Sequence, residues 1–373
     1  MFSDRFLTDL KGLVRAPVRR RVFDVFRRVL HAADGRSMAG EALEDVFTRR
    51  RAAWVGAAQS SAPYAELGRP RLRPRAPRNR APIFVTGRFR SGSTLVWNIF
   101  RHVDGCTAYY EPFNERRWFD PRTRGDRIDR THLNVSDYWR EYEGLERLGE
   151  VYREEWIDQR LFMDEASWDP GMKRYIQTLV DAAPGRAVLQ FNRVDFRLPW
   201  LRHTFPDALI VHLYRHPRDQ WCSSLVDPRG YPASASMREF ADHDRFYLRR
   251  WARNLKYAYP FLEEADASHA YELFYYIWRL SYAFGLAYAH YSISFERLVE
   301  HPAAEITKLL AAVRTDHRDL DTLTSCVVQT GVGKWREYAS NEWFQRIEAG
   351  CETVLAEFEA VVPARERLLE PAS

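Results

Sequence analysis

The stretch Ile83 to Val103, IFVTGRFRSGSTLVWNIFRHV, limits what this chain can fold into more than any other. A short apolar run passes through a turn holding Gly87 and Gly92 into a segment whose apolar residues recur at helical spacing from near Ser93. A buried strand that feeds a helix belongs to a parallel sheet, whose strands need crossover connections and are covered by helices. Further apolar runs at Ala187 to Phe191, Ala208 to Tyr214 and Ser292 to Phe295 join Ile83 to Thr86 as expected strands. The expected fold is therefore α/β, a three-layer α/β/α arrangement around a central parallel sheet. The aromatic-rich segments 113 to 175 and 231 to 290 interrupt the alternation and are expected as helical insertions over the carboxyl ends of the strands, where such sheets bind ligands.

The glycine turn aims backbone N–H groups and the positive end of a helix at one point, which makes it a P-loop-like anion-binding loop. Gly87, Gly92 and Thr94 fit the Walker pattern, but Ser93 stands where a nucleotide triphosphatase needs its lysine. The cation lies instead before the second glycine, at Arg90. A second element follows at ALIVHLYRHPRDQWCSSL, a buried strand that delivers Arg215 with Pro217 and Ser223 behind it. An arginine at a strand end and a hydroxyl on the next turn can grip one phosphate through charge-assisted bonds of about 1.5–3 kcal/mol each.

Together these two elements resemble the signatures of the sulfotransferase family, which use 3′-phosphoadenosine-5′-phosphosulfate (PAPS). The first, Arg90-Ser91-Gly92-Ser93-Thr94, matches a basic residue followed by Ser-Gly-Ser/Thr-Thr. The resemblance implies that the loop Arg88, Phe89, Arg90, Ser91, Gly92, Ser93 and Thr94 cradles the donor's 5′-phosphate and sulfonate, and that Arg215 and Ser223 hold its 3′-phosphate. ISFERLVEHP resembles a later strand-to-helix step through Glu296 and Leu298, with Phe295 in place of the usual tyrosine, and GVGKW resembles the closing loop through Gly331, Gly333 and Trp335. Many members carry Arg-Lys-Gly at that loop, where this chain has Gln329-Thr330-Gly331, so Lys334 and Arg336 are the substitutes considered for donor binding. The resemblance spans roughly residues 82 to 360.

Sulfuryl transfer needs an in-line acceptor oxygen, cations around the moving oxygens and a base for the acceptor's proton. Arg90 is assigned to the cation role and Glu111, in AYYEPFNE, to that of the base, as in the carbohydrate and protein-tyrosine branches that the chain resembles more than the histidine-base phenol branch. His132 and His203 occupy the interval where that branch keeps its base, with His203 expected on a helix beside the sheet. Arg193, at another strand end, is a candidate for acceptor contact, with a structural ion pair as the alternative. The implied co-substrate is PAPS, the product adenosine 3′,5′-bisphosphate, the partner a hydroxyl-bearing acceptor of carbohydrate or tyrosine type; no metal and no nucleic acid is expected.

Two other readings compete. A P-loop kinase shares the fold but lacks the Walker lysine and a clear acidic Mg²⁺ residue after the second strand. A non-catalytic membrane- or nucleic-acid-binding protein would use the basic N-terminal region and leaves both motifs without a purpose. That region reads as a helical extension, 1–68, with a basic amphipathic helix at Val18 to Leu30 suited to peripheral membrane contact or to packing on the main domain. An Arg/Pro-rich linker, 69–82, a sulfotransferase domain, 83–362, and a tail, 363–373, follow. No run of eighteen apolar residues occurs, Met1 to Arg21 has no apolar stretch before a small-residue cleavage site, and four cysteines without metal-ligand spacing suit a reducing compartment, so a cytoplasmic location is expected. Only five of the 56 basic residues are lysine; arginine suits bidentate phosphate recognition, although genome composition explains most of such a bias.

Overall fold

In the computed structural model, residues 81–125, 135–225, 227–264, 267–328 and 332–361 are described, together with Val25, which is helical. The chain divides into two units, Met1–Gly68 and Arg69–Ser373. The rest of the basic helix at 18–30, the linker as far as Arg80, His132, Gln329-Thr330-Gly331 and the tail 363–373 lie outside the described residues.

The apolar runs become the strands β1 (Ile83–Thr86), β3 (Arg186–Phe191), β4 (Leu209–Tyr214) and β5 (Tyr291–Ser294), and a strand the pattern did not reveal, β2 (Cys106–Tyr110), completes the sheet. All pairings are parallel, in the order β2-β3-β1-β4-β5. β1 and β3 are wholly buried, as continuous apolar strands between helices should be. β2 reads CTAYY, an edge strand with polar hydroxyls and no continuous apolar signal. Phe295, expected to end β5, instead opens a helix, because Ser294 caps that helix through its hydroxyl.

The helices are α1 (Ser93–Arg101), α2 (Pro170–Ala182), α3 (Leu198–Thr204), α4 (Pro217–Ser224), α5 (Leu248–Leu255), α6 (Ala270–Tyr288), α7 (Phe295–Glu300), α8 (Pro302–Ala312), α9 (Leu320–Ser325) and α10 (Asn341–Val361). The segment 113 to 175 is not the helical insertion expected: apart from the start of α2, its described part holds turns and three short 3₁₀ helices, Arg140–Tyr142, Glu146–Glu150 and Glu154–Trp156. The segment 231 to 290 does carry α5 and α6. Four tryptophans, Trp97, Trp156, Trp221 and Trp251, are among the largest fully buried side chains, so most of the aromatic excess is core.

The order of the sheet places the site. The connection after β1 leads to β2 on one side, while the connection after β4 leads to β5 on the other. Right-handed crossovers send these two connections to opposite faces, which opens a crevice between the carboxyl ends of the adjacent strands β1 and β4.

Candidate active site

Both sequence motifs sit at that crevice. A cavity of about 1180 Å³ is lined by Arg90, Gly92, Ser93 and Thr94 from the β1–α1 loop and by Arg215 and Ser223 from the β4–α4 element. The two are also bonded to each other across more than a hundred residues of chain. Arg90 Nε donates to the Ser223 carbonyl at 3.0 Å and to its hydroxyl at 3.2 Å. Arg215 Nη1 donates to the Arg90 carbonyl at 3.3 Å, and Gln220 Nε2 to the Phe89 carbonyl at 2.8 Å.

Gly92 starts α1 in the left-handed region, at φ 95°, with no side-chain cap. The first N–H groups of a helix have no partner four residues back, and this end, which opens on the cavity, is of the kind that suits an anion. A Cβ at Gly92 would collide with the Phe295 ring, and that ring lies 4.7 Å from the guanidinium carbon of Arg215. Gly92→Ala should therefore strain the backbone, displace Phe295 and disturb Arg215 together. The expected cost is roughly 1–3 kcal/mol of stability, read as a lower melting temperature, with weaker binding of adenosine 3′,5′-bisphosphate in the same preparation.

Among the described residues Arg215 is a buried cation without a counter-ion. It is 8% exposed, and among the described residues its Nε has no hydrogen-bond partner and no carboxylate lies within ion-pair distance of it. Burial pushes its guanidinium below the usual arginine range, partly opposed by the fields of Asp219 and Glu296. Trp278 Nε1 fixes its backbone carbonyl at 3.0 Å. A charge kept in this condition is stabilised when a ligand brings the opposite charge. Lys334 enters the same cavity from the C-terminal side, because Asp219 on α4 accepts the backbone N–H groups of Gly333 at 2.8 Å and Trp335 at 3.3 Å.

Glu111 follows β2 and lines the cavity wall. Its carboxylate is held by Asn114 Nδ2 at 2.5 Å, Asn192 Nδ2 at 2.6 Å and Arg193 Nη1 at 3.4 Å. Its backbone is left-handed at φ 39°, a strained state for a residue with a side chain. Of the six described non-glycine residues with positive φ, three line this one cavity: Arg90, Glu111 and Tyr247. Such a concentration of backbone strain is typical of sites where geometry is held for a purpose.

The structure thus brings Phe89, Arg90, Gly92, Ser93, Thr94, Glu111, Arg193, Arg215, Ser223 and Lys334 to one cavity. Three of the residues expected at the donor do not line this cavity. The Arg88 side chain does not line the cavity; it is buried with its guanidinium 4.6 Å from the Trp251 ring, where burial pushes it down to about 10 against the field of Asp195. Ser91 is buried against Gly87 with its hydroxyl unpartnered among the described residues, so it also stays below the surface of the loop. Arg336 stacks on Trp335 at 4.7 Å and does not line the cavity. It sits on the 3₁₀ helix Lys334–Glu337, whose threefold period puts Lys334 and Glu337 on the cavity side and turns Arg336 away. His203 is exposed on α3, beyond the cavity wall. Asn114, Asn192 and Tyr247 escaped the sequence reading; the i, i+3 spacing of Glu111 and Asn114 and the position of Asn192 just after β3 were the available signals.

The model of the sulfotransferase family matches residues 82–277. Among curated proteins no match is found. Solved structures similar to the chain include a sulfotransferase from Mycobacterium avium, at 14% identity over 77% of this chain and 78% of that one, with a TM-score of 0.41. Another is the sulfotransferase domain of an olefin synthase from Synechococcus, at 16% identity over 77% and 98%, with a TM-score of 0.35. A third is a sulfotransferase from Alicyclobacillus acidocaldarius, at 14% identity over 76% and 95%, with a TM-score of 0.34.

Proposed function

The chain belongs to the sulfotransferase family, and from that membership we propose that it moves the sulfuryl group of PAPS to a carbohydrate or tyrosine hydroxyl, with Glu111 as general base. Sulfotransfer from PAPS to a hydroxyl-bearing acceptor follows from the family itself; the acceptor type and the base are our reading. When bound, PAPS supplies the activated sulfuryl group and leaves as adenosine 3′,5′-bisphosphate.

The observation that carries the reading is the meeting of two cation-bearing strand ends with one strained, buried carboxylate at a single cavity. Its residues fit a ligand with an anion at each end. Arg90 and the first-turn N–H groups of α1 would hold the sulfonate end and stabilise charge there. Arg215, Ser223 and Lys334 would take the 3′-phosphate, the group that gives Arg215 the counter-ion it lacks among the described residues. Glu111, an acceptor of hydrogen bonds from carboxamides and an arginine, is oriented to take a proton from an acceptor hydroxyl. Carboxamides and carboxylates beside aromatic edges at Tyr110, Trp118 and Tyr247 favour a polyhydroxylated or phenolic acceptor side chain. We assign catalysis to residues 83–362, with 1–68 and 69–82 as extension and linker. All four cysteines are free, which supports the cytoplasmic assignment; no helix among the described residues is long and apolar enough to cross a membrane.

Calorimetry and thermal melting test the donor. Adenosine 3′,5′-bisphosphate at a hundredfold excess over its Kd should stabilise the fold by about 2.7 kcal/mol, with ATP giving far less. Radiolabelled PAPS offered with separate pools of oligosaccharides, tyrosine peptides and simple phenols then tests the acceptor. Label in the phenol pool alone would overturn our choice of acceptor, and indifference to the bisphosphate would overturn the donor site.

A further inference from the structure

We propose that Arg193 is a positioning residue for the base, a guanidinium bridge that fixes the Glu111 carboxylate rather than an acceptor contact. The inference rests on the reading of Glu111 as base. Only 2% of the Arg193 side chain is exposed, and both terminal nitrogens are occupied. Nη1 donates to Asn192 Oδ1 at 2.7 Å and to Glu111 Oε2 at 3.4 Å, and Nη2 donates to Glu115 Oε2 at 2.6 Å. Burial works against its charge, and the carboxylates of Glu111 and Glu115 outweigh that, so the cation is kept above the usual arginine range.

The bridge is held at two ends and on one face. Its inner end is Glu111 on the cavity wall. Its outer end is Glu115, whose side chain is 48% exposed near the cavity mouth. Its flat face is set by two rings, Phe89 at 4.8 Å and Tyr247 at 5.6 Å from the guanidinium carbon. Phe89 belongs to the donor loop, and its own carbonyl is tied to Gln220 on α4. The orientation of the base is thereby indexed to the loop that holds the donor. A carboxylate side chain has several rotatable bonds, and displacement of a reacting group by about 1 Å can cost on the order of 10² in rate. A planar fork that serves two carboxylates and a carboxamide at once cannot be replaced by the single point charge of lysine.

The test uses the full chain with radiolabelled PAPS and the acceptor pool that the wild-type protein labels best. Arg193→Lys should lower turnover at saturating PAPS about tenfold while the Kd for adenosine 3′,5′-bisphosphate, measured by calorimetry, stays within about twofold of wild type. Because Arg193 acts through Glu111, the double variant Glu111→Gln with Arg193→Lys should be no slower than Glu111→Gln alone. A further tenfold loss in the double variant, or unchanged turnover in Arg193→Lys, would overturn the positioning role. Glu111→Gln at full activity sinks the base reading itself, an outcome distinct from an additive double variant. Should Arg193→Lys melt before assay temperature, Glu115→Gln, which loosens only the exposed end, is expected to slow turnover about threefold in the wild-type background and not at all in Glu111→Gln; an equal loss in both backgrounds refutes the bridge.

Discussion

Glu111→Gln should reduce turnover by about 10²–10⁴ while leaving the affinity for adenosine 3′,5′-bisphosphate intact. The substitution keeps the shape of the side chain and removes its capacity to accept a proton. It also replaces one acceptor oxygen by an NH₂ group that must face a donor, since Asn114 and Asn192 both donate to the carboxylate, at 2.5 and 2.6 Å. Glu111 follows β2 on the cavity wall, and its carboxylate takes no part in the Arg90–Ser223 and Arg215–Arg90 bonds that join the two donor elements. Loss of the base therefore touches proton transfer and not the grip on the nucleotide. Steady-state turnover of radiolabelled PAPS beside calorimetry on the same preparation measures both quantities. Full turnover in Glu111→Gln would remove it from the role of base, and a parallel loss of bisphosphate affinity would make its contribution structural.

The features that the sequence displays plainly are the local ones. β1, Gly92 and α1 are neighbours in the chain, so the anion-binding turn is written in consecutive residues; β4 with Arg215 and Ser223 is equally local. β2 was hidden because CTAYY, at the edge of the sheet, has neither an apolar run nor strict alternation. Arg88 and Arg90 flank Phe89 and look alike as letters. Their fates part because Arg90 adopts φ 66°, which turns its side chain into the cavity while Arg88 goes beneath the loop to Trp251. The setting of Glu111 was half legible: Asn114 is three residues on, but Asn192 and Arg193 arrive from 81 and 82 residues away through the β2–β3 pairing. Register between strands decides such contacts, and a linear pattern carries no register for a strand it does not reveal.

Arg215→Ala is the companion experiment at the other end of the cavity, and its expected signature is selective weakening of the nucleotide's 3′ side. A charge-assisted hydrogen bond to phosphate contributes about 1.5–3 kcal/mol, so the Kd for adenosine 3′,5′-bisphosphate should rise on the order of 10–10²-fold. Adenosine 5′-phosphosulfate, which has no 3′-phosphate, should lose little. Stability is expected to move the other way, since the free protein buries this guanidinium with its Nε unpartnered and no carboxylate in ion-pair range among the described residues. Truncation relieves an uncompensated buried charge, at the loss of one 3.3 Å hydrogen bond and the contact with Phe295, so the melting temperature without ligand should not fall. Weaker binding with undiminished stability would mark a residue kept for its ligand. Equal losses for the two nucleotides would show instead that Arg215 serves the fold of the β4–α4 turn, and the 3′-phosphate would then have to be held by Lys334 and Ser223.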